Sequence, residues 1–173
     1  MSKGLVLVYT GNGKGKTTAS LGLGFRAAGQ GFNVFMIQFM KGQGKTGELN
    51  SVEKFNNFTI EQAGRPNFVN QVAPDPMDVN AAREGFKRAT EKAMSGEIDV
   101  LIMDEINVAM NYDLVDIEDV LHFLKTKPEK LHIVMTGRGF PEELIDYVDM
   151  VSEVKEIKHH YNNGVPATKG IEF

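Results

Sequence analysis

The sequence contains no cysteine and no tryptophan. Without cysteine, disulfides, thiol catalysis and cysteine-based zinc sites are excluded. No apolar stretch approaches the ~20 residues of a membrane-spanning helix, and the first residues lack the architecture of a signal peptide. The net charge of −4 gives no overall attraction for nucleic acid or anionic lipid. We therefore expect a cytoplasmic protein that contacts neither nucleic acid nor membrane and holds any anion at a local site.

The length of 173 residues predicts a single domain, residues 1–173. Short β-branched runs alternate with longer helical patterns, which is typical of a parallel sheet built from βαβ units. Most of the runs are continuously apolar, as expected of strands that are covered on both faces. The predicted strands are residues 5–9, 33–38, 58–61, 100–104, 132–136 and 150–154.

Helical patterns begin at four places, residues 16, 76, 116 and 141. The second is the most clearly marked, because Asp75 is a good N-cap, Pro76 suits the first helical position and Asp78 occupies the third. Two stretches, residues 41–50 and 63–74, stay unassigned. Both follow predicted strands, so we expect them at the sheet edge where open α/β folds bind ligands.

A glycine- and lysine-rich segment lies between the first strand and the first helix. Its glycines let successive backbone N–H groups converge into an anion-binding nest, and the helix that follows adds its positive end. Lys16 adds a full charge, and Thr17 supplies the hydroxyl that a phosphate-bound Mg²⁺ needs. The segment predicts a site for the phosphates of ATP, with contacts from Gly11, Asn12, Gly13, Lys14, Gly15, Lys16, Thr17 and Thr18.

The loop departs from the usual pattern Gly-x-x-x-x-Gly-Lys-Ser/Thr at its first position. That position is Thr10, and the glycine comes one residue later, at Gly11, so the loop is tighter. A chance glycine-rich turn is the alternative interpretation. Strand, loop and helix in this order favour a three-layer P-loop NTPase fold of the RecA-like type, with a mostly parallel central sheet.

A second element is an apolar run that ends in Asp104 and Glu105. At the carboxyl end of a parallel strand these residues would face the loop and could hold Mg²⁺ or a water bound to it; an ordinary strand end is the alternative. Arg138 follows another strand and is placed like a residue that neutralises a terminal phosphate. Arg26 lies on the helix after the loop and could equally belong to a solvated face.

Together these stretches resemble one family, the corrinoid (cob(I)alamin) adenosyltransferases of the P-loop type. The stretches that carry the resemblance span nearly the whole chain in the family's order. They are residues 10–18 with the late glycine, Arg26, and residues 38–42, 104–107, 136–138, 158–159 and 170–172.

The resemblance implies that the 5′-deoxyadenosyl group of ATP moves to Co(I) of a corrinoid, cobyrinic acid a,c-diamide or cobalamin, with release of triphosphate. The ATP would lie reversed relative to ordinary P-loop enzymes, so that the bond broken is at C5′. Positioning of C5′ and stabilisation of the leaving triphosphate then do the catalysis. The implied catalytic residues are Lys16, Thr17, Glu105 and Arg138, the phosphate contacts include Arg26 and Arg138, and the Mg²⁺ ligands are Thr17, Asp104 and Glu105. A homodimer is also implied, and a reductase or flavodoxin-like electron donor fits the chemistry.

One loop departs from the family. Some members carry Gly-Phe-Thr-Trp after the third strand, with aromatic residues that help to displace the lower ligand of cobalt. Here the stretch reads Asn67-Phe68-Val69-Asn70, so that Phe68 matches and Asn70 replaces tryptophan. The resemblance places Phe68 and Asn70 on the corrinoid side. The alternative for Phe68 is a structural role at the sheet edge.

Other functions share the phosphate loop. An ATPase in which Glu105 activates water would use every phosphate-binding residue, and a module that holds ATP without turnover also stays open. A deoxynucleoside kinase with a four-cysteine zinc loop is disfavoured because cysteine is absent. GTPases are disfavoured because the guanine signature Asn-Lys-x-Asp does not occur in the sequence.

Overall fold

The computed structural model describes residues 3–42, 44, 46–66 and 69–173. Its described strands form one six-stranded sheet in the order β3-β2-β4-β5-β1-β6, and each recorded pairing is parallel. The predicted α/β architecture is confirmed. The strands are β1 (Val6–Thr10), β2 (Val34–Phe39), β3 (Phe58–Ala63), β4 (Val100–Asp104), β5 (His132–Thr136) and β6 (Met150–Glu153).

Five α-helices and two 3₁₀-helices accompany the sheet in the described residues. The α-helices are α1 (Lys16–Gly29), α2 (Gly47–Val52), α3 (Pro76–Met94), α4 (Ile106–Asn111) and α5 (Ile117–Thr126). The 3₁₀-helices are Glu142–Tyr147 and His160–Asn163, so the pattern predicted from residue 141 is a 3₁₀-helix and not an α-helix. The sequence did not predict α2 or α4, because six residues are too few to display a helical period.

Alternate residues of β2 face opposite sides of the sheet, as the strand period requires. Phe35, Ile37 and Phe39 join a core cluster that includes Ala82, Ala89 and Ala93 of α3. Val34 and Met36 join a second cluster that includes Ala28 of α1. The sheet is therefore covered on both faces, which gives the three layers that the sequence predicted.

The start of α3 confirms one part of its predicted cap and corrects another. The carboxylate of Asp75 accepts a hydrogen bond from the backbone N–H of Met77 at 2.8 Å, as an N-cap should. Asp78 does not complete a reciprocal cap. Its buried carboxylate instead binds Arg65 through two bonds of 2.6 and 2.8 Å, because Asp78 lies on the inward face of α3. This pair ties the loop after β3 to α3.

The carboxyl ends of the central strands define the site. β5 lies between β1 and β4 and pairs with both in parallel, so Thr10, Asp104 and Thr136 finish their strands at one edge of the sheet. The phosphate loop leaves β1 at this edge, where parallel α/β sheets bind ligands.

Among the described helices, none combines the length and apolar character needed to cross a membrane.

Candidate active site

The phosphate loop packs against the chain that follows β6. The backbone N–H of Gly13 donates to the carbonyl of Val154 at 2.8 Å. A Cβ at Gly13 would lie only 2.8 Å from backbone atoms of Val154 and Lys155, so no side chain fits there. Gly15 precedes α1 with φ of 114°, in the left-handed region that glycine adopts without strain. These two glycines bring the loop close to β6 and turn it into the helix.

Lys16 is held at the centre of this loop. Its side chain is 7% exposed, and its ammonium donates to the carbonyl of Gly13 at 2.7 Å. Burial lowers the pKa of Lys16, the charges of Glu105 and Asp104 act in the opposite direction, and that of Arg138 lowers it further. Bound phosphates would add negative charge and favour the charged ammonium.

Asp104 is the best-connected carboxylate of the site and is 0% exposed. Its Oδ1 accepts hydrogen bonds from Thr17 at 2.8 Å and from Thr136 at 2.7 Å. Its Oδ2 accepts a bond from Lys41 at 3.0 Å and a long one from Gln38 at 3.5 Å. This arrangement confirms that β4 ends against the phosphate loop, and it places Asp104 behind Thr17.

Glu105 directly precedes α4 and has a φ of 65°, an uncommon conformation for a residue with a side chain. Its backbone N–H donates to the hydroxyl of Thr136 at 2.9 Å, which helps to fix this turn. Glu105 lines the same cleft as Lys16 and Arg138. Burial raises the pKa of the Glu105 carboxyl, and the neighbouring charge of Asp104 raises it further. Glu105 is therefore a partly buried carboxyl group in the same cleft as the cationic side chains of Lys16 and Arg138.

The resulting cleft has a volume of about 580 Å³. It brings together most of the predicted phosphate-binding residues, from Asn12 to Thr18, with Glu105 and Arg138. Gly11 starts the loop with φ of 95° but does not line the cleft. Arg26 is also outside it: the residue is exposed in the last turn of α1, about 15 Å along the helix from Lys16. A phosphate contact from Arg26 within this chain is therefore not supported.

Neither of the two predicted corrinoid-side residues is tested by the structure. Phe68 lies outside the described residues, so its role stays a prediction. Asn70 is described, and its side-chain oxygen accepts bonds from the backbone N–H groups of Val72 at 3.0 Å and Ala73 at 3.3 Å. Asn70 therefore stabilises a turn of its own loop, and its predicted contact with the corrinoid stays a prediction.

The sequence interpretation missed a contact between the phosphate loop and the C-terminal segment. Lys14 donates to the carbonyl of Ile171 at 3.2 Å and lies 3.3 Å from the carboxylate of Glu172. The imidazole of His160 lies 3.2 Å from the same Glu172 oxygen, although neither charged contact is aligned as a hydrogen bond. A bond from the backbone N–H of Thr168 lowers the pKa of Glu172, and Lys14 lowers it further.

This segment is part of the cleft wall, since residues 170–173 and His159 line it. Lys41, Glu48 and Ser51 line the opposite side. The sequence contained a signal for some of these residues, because residues 38–42, 158–159 and 170–172 belong to the stretches of the family resemblance. Their type alone did not indicate a role.

The residues of the cleft fit a magnesium ion. Thr17 and Glu105, whose side chains carry oxygen atoms, line the cleft, and Asp104 lies behind Thr17. Within the described part of the chain, no three aspartate, glutamate or histidine side chains converge on one point. That also suits Mg²⁺, which proteins usually bind through one or two carboxylates together with substrate phosphates.

Fold and site together define a P-loop nucleotide-binding protein of the RecA-like type. A KaiC-like protein of the hyperthermophilic archaeon Pyrococcus horikoshii has the same fold, with a TM-score of 0.56 over 90% of this chain and 75% of its own, at 14% sequence identity. The family model described as "ATP:corrinoid adenosyltransferase BtuR/CobO/CobP" matches residues 2–173. The chain belongs to this family.

Relatives in three bacteria agree with this assignment. A corrinoid adenosyltransferase of Sinorhizobium is 38% identical over 173 residues, which are 99% of this chain and 81% of the relative. That of Escherichia coli K12 is 34% identical, over 99% and 86% of the two chains. That of Pseudomonas aeruginosa is 31% identical, over 99% and 84%. The resemblance seen in the sequence motifs is confirmed.

Proposed function

We propose that this protein is an ATP:corrinoid adenosyltransferase, which transfers the 5′-deoxyadenosyl group of ATP to Co(I) of a corrinoid and releases triphosphate. The observation that carries the proposal is the family match across residues 2–173, supported by the phosphate cleft at the sheet edge. Cobyrinic acid a,c-diamide and cobalamin are the proposed corrinoid substrates.

The reaction needs no general base. Reduced cobalt uses its own electron pair to form the Co–C5′ bond while the C5′–O bond breaks, and the electrons of the broken bond leave on the triphosphate. The protein therefore has to position C5′ and stabilise the charge that gathers on the leaving group. Mg²⁺ held by Thr17 and Glu105, with Asp104 behind them, would neutralise part of that charge.

The residues of the cleft suit this task. Lys16 and Arg138 both line it, and preorganised cations beside a developing polyanion stabilise a transition state without reorganisation. The backbone N–H groups of the loop and the start of α1 add positive potential on the same side. Glu105, which a hydrolase would use to activate water, is assigned instead to the metal.

The family resemblance also supports three finer proposals: a homodimer, a cytoplasmic location, and a reductase or flavodoxin-like donor that supplies the electron for Co(I). A donor is chemically required only when the corrinoid arrives oxidised. A corrinoid reduced chemically beforehand should react without one, which separates the transfer step from the reduction step.

The decisive experiment is a product analysis. Protein, ATP, Mg²⁺ and a chemically reduced corrinoid are mixed, and the corrinoid is analysed by mass while the phosphate products are separated by ion exchange. We expect adenosylated corrinoid and triphosphate in equal amounts. A Lys16→Ala variant serves as the matched control and should lose most of both products. Release of monophosphate or diphosphate without adenosylated corrinoid would reject the proposal.

A further inference from the structure

Asp104 and Lys41 form an ion pair that the function above does not require. The Lys41 ammonium lies 3.0 Å from Oδ2 of Asp104, with the lysine side chain 33% exposed and the aspartate completely buried. In the described part of the chain, no other cationic side chain is within ion-pair distance of this carboxylate. A buried charge without a partner is strongly unfavourable, so Lys41 is the group that neutralises Asp104.

The backbone brings Lys41 to this place. β2 and β4 are neighbours, and their register sets Gln38 beside Asp104. Met40 then adopts φ of 58°, a left-handed conformation that is uncommon for a residue with a side chain. This turn follows the end of β2 and directs the chain so that Lys41 lies beside the end of β4. The strand order and one unusual turn thus create the ion pair.

The other acceptor positions of Asp104 are also occupied. Thr17 and Thr136 donate to Oδ1, and Gln38 makes a long contact with Oδ2. The orientation of Gln38 is fixed, since its amide nitrogen donates to Glu48 at 3.1 Å and its oxygen accepts from Gln62 at 3.1 Å. A divalent cation that entered the cleft alone would meet an Asp104 that is already neutralised and fully hydrogen-bonded.

Among the carboxylates around it in the described residues, Lys41 is within ion-pair distance of Asp104 alone. Burial acts to raise the pKa of Glu48, but the hydrogen bond from Gln38, together with the charge of Lys41, helps to bring it below its ordinary value. The charge of Lys41, with those of Lys16 and Arg138, also acts on Glu105 at longer range, but burial still keeps the pKa of Glu105 raised.

We propose that Lys41 is the resident counter-ion of Asp104, so that the cleft retains a divalent cation only when a phosphate chain arrives with it. The phosphates then give the cation the anionic oxygen ligands that Asp104 does not provide, in keeping with the way Mg²⁺ usually binds. Lys41 is on this view a positioning residue, which also holds Asp104 in place to receive the hydroxyl of Thr17. The proposal goes beyond the transfer reaction and holds for any nucleotide chemistry in this cleft.

The test uses Mg²⁺ alone, without nucleotide or corrinoid. Thermal unfolding of the full chain is followed at increasing Mg²⁺ for wild type and for Lys41→Met, with Lys54→Met as the control because Lys54 is exposed and outside the cleft. Lys41→Met should unfold at a lower temperature in EDTA, and Mg²⁺ should restore much of the loss. Wild type should show little or no shift, and Lys41→Met should respond at Mg²⁺ concentrations at least about tenfold below any that shift wild type.

Two further variants keep the experiment decisive. Lys41→Arg retains the charge and should stay insensitive to Mg²⁺, while Lys41→Met combined with Asp104→Asn removes both charges and should fold without responding to Mg²⁺. If Lys41→Met is unfolded in EDTA, its refolding on addition of Mg²⁺ is measured instead and tests the same point. A Lys41→Met protein that is destabilised but does not respond to Mg²⁺, or one that is as stable as wild type, would overturn the proposal.

Discussion

The hydroxyl of Thr17 donates to Oδ1 of Asp104 over 2.8 Å, across a separation of 87 residues in the sequence. This bond joins the phosphate loop to the end of β4. Because the hydroxyl proton is directed to the carboxylate, the lone pairs of the Thr17 oxygen stay available to a cation in the cleft. The bond therefore connects the two segments that the sequence assigned to Mg²⁺.

Replacing Thr17 should weaken nucleotide binding mainly when Mg²⁺ is present. Thr17→Ala removes the hydroxyl, and we expect the ATP dissociation constant measured with Mg²⁺ to rise at least about tenfold, or ~1.4 kcal/mol. The constant measured in EDTA should change less. Thr17→Ser keeps the hydroxyl and should stay close to wild type in calorimetric titrations. Equal losses with and without Mg²⁺ would contradict a role through the metal.

The fold was predictable from local pattern because the central strands β2, β4 and β5 are short, mostly apolar and buried on both faces. β4, for example, is buried throughout and ends at Asp104, with Glu105 directly after it. The sequence could not reveal how those ends connect. The bond between Lys41 and Asp104 depends on the strand order and on the left-handed turn at Met40, and neither leaves a periodic signal.

The structure gives no support, within this chain, to the phosphate contact that the resemblance implied for Arg26. Its position on the helix that begins at Lys16 made a phosphate contact conceivable from the resemblance. The helix rises 1.5 Å per residue, and Arg26 therefore lies at the far end of α1, away from the cleft. A helix brings only the residues of its first turn close to an anion at its N-terminus. Whether a residue can reach that anion therefore depends on its distance along the helix and not on its type.

Glu172→Gln should loosen the C-terminal segment over the phosphate loop. The substitution removes the charge that faces Lys14 and His160 but preserves size and the acceptor for Thr168. We expect faster amide hydrogen exchange in residues 168–172 and an ATP dissociation constant raised roughly two- to tenfold, as for a solvent-accessible ion pair.

Glu97→Gln is the matched control, since Glu97 pairs with Lys92 at an exposed position far from the cleft. It should change neither measurement. If Glu172→Gln exchanges as slowly as wild type, the contact with Lys14 does not hold the segment in solution.

The substitution Asp78→Asn should make the free energy of unfolding less dependent on pH in the acid range. The hydrogen bonds from Arg65 lower the pKa of Asp78 below its ordinary value of 3.8. A carboxylate with a depressed pKa contributes stability above its unfolded pKa and loses it as the pH falls through the lower, folded value. Wild type should therefore exceed Asp78→Asn in urea midpoint at neutral pH, and the difference should shrink below about pH 3.8.

Arg65 keeps its charge across this range, so the change belongs to the aspartate. The exposed pair of Glu61 with Arg88 offers a comparison, and Glu61→Gln should alter the urea midpoint little at any pH. A wild-type advantage over Asp78→Asn that is constant between pH 7 and pH 3 would contradict the assigned cause.

Glu105→Gln separates a metal-side carboxylate from a base that activates water. Glutamine has nearly the same shape, and the backbone bond from residue 105 to Thr136 does not involve the side chain, so the turn should persist. Loss of the charge should raise the Mg²⁺ concentration needed for half-maximal triphosphate formation by at least about tenfold, with partial recovery at saturating Mg²⁺. Neither wild type nor the variant should release monophosphate. If wild type releases monophosphate steadily and Glu105→Gln stops it while ATP and Mg²⁺ still bind normally, then Glu105 is a general base and the cleft hydrolyses ATP.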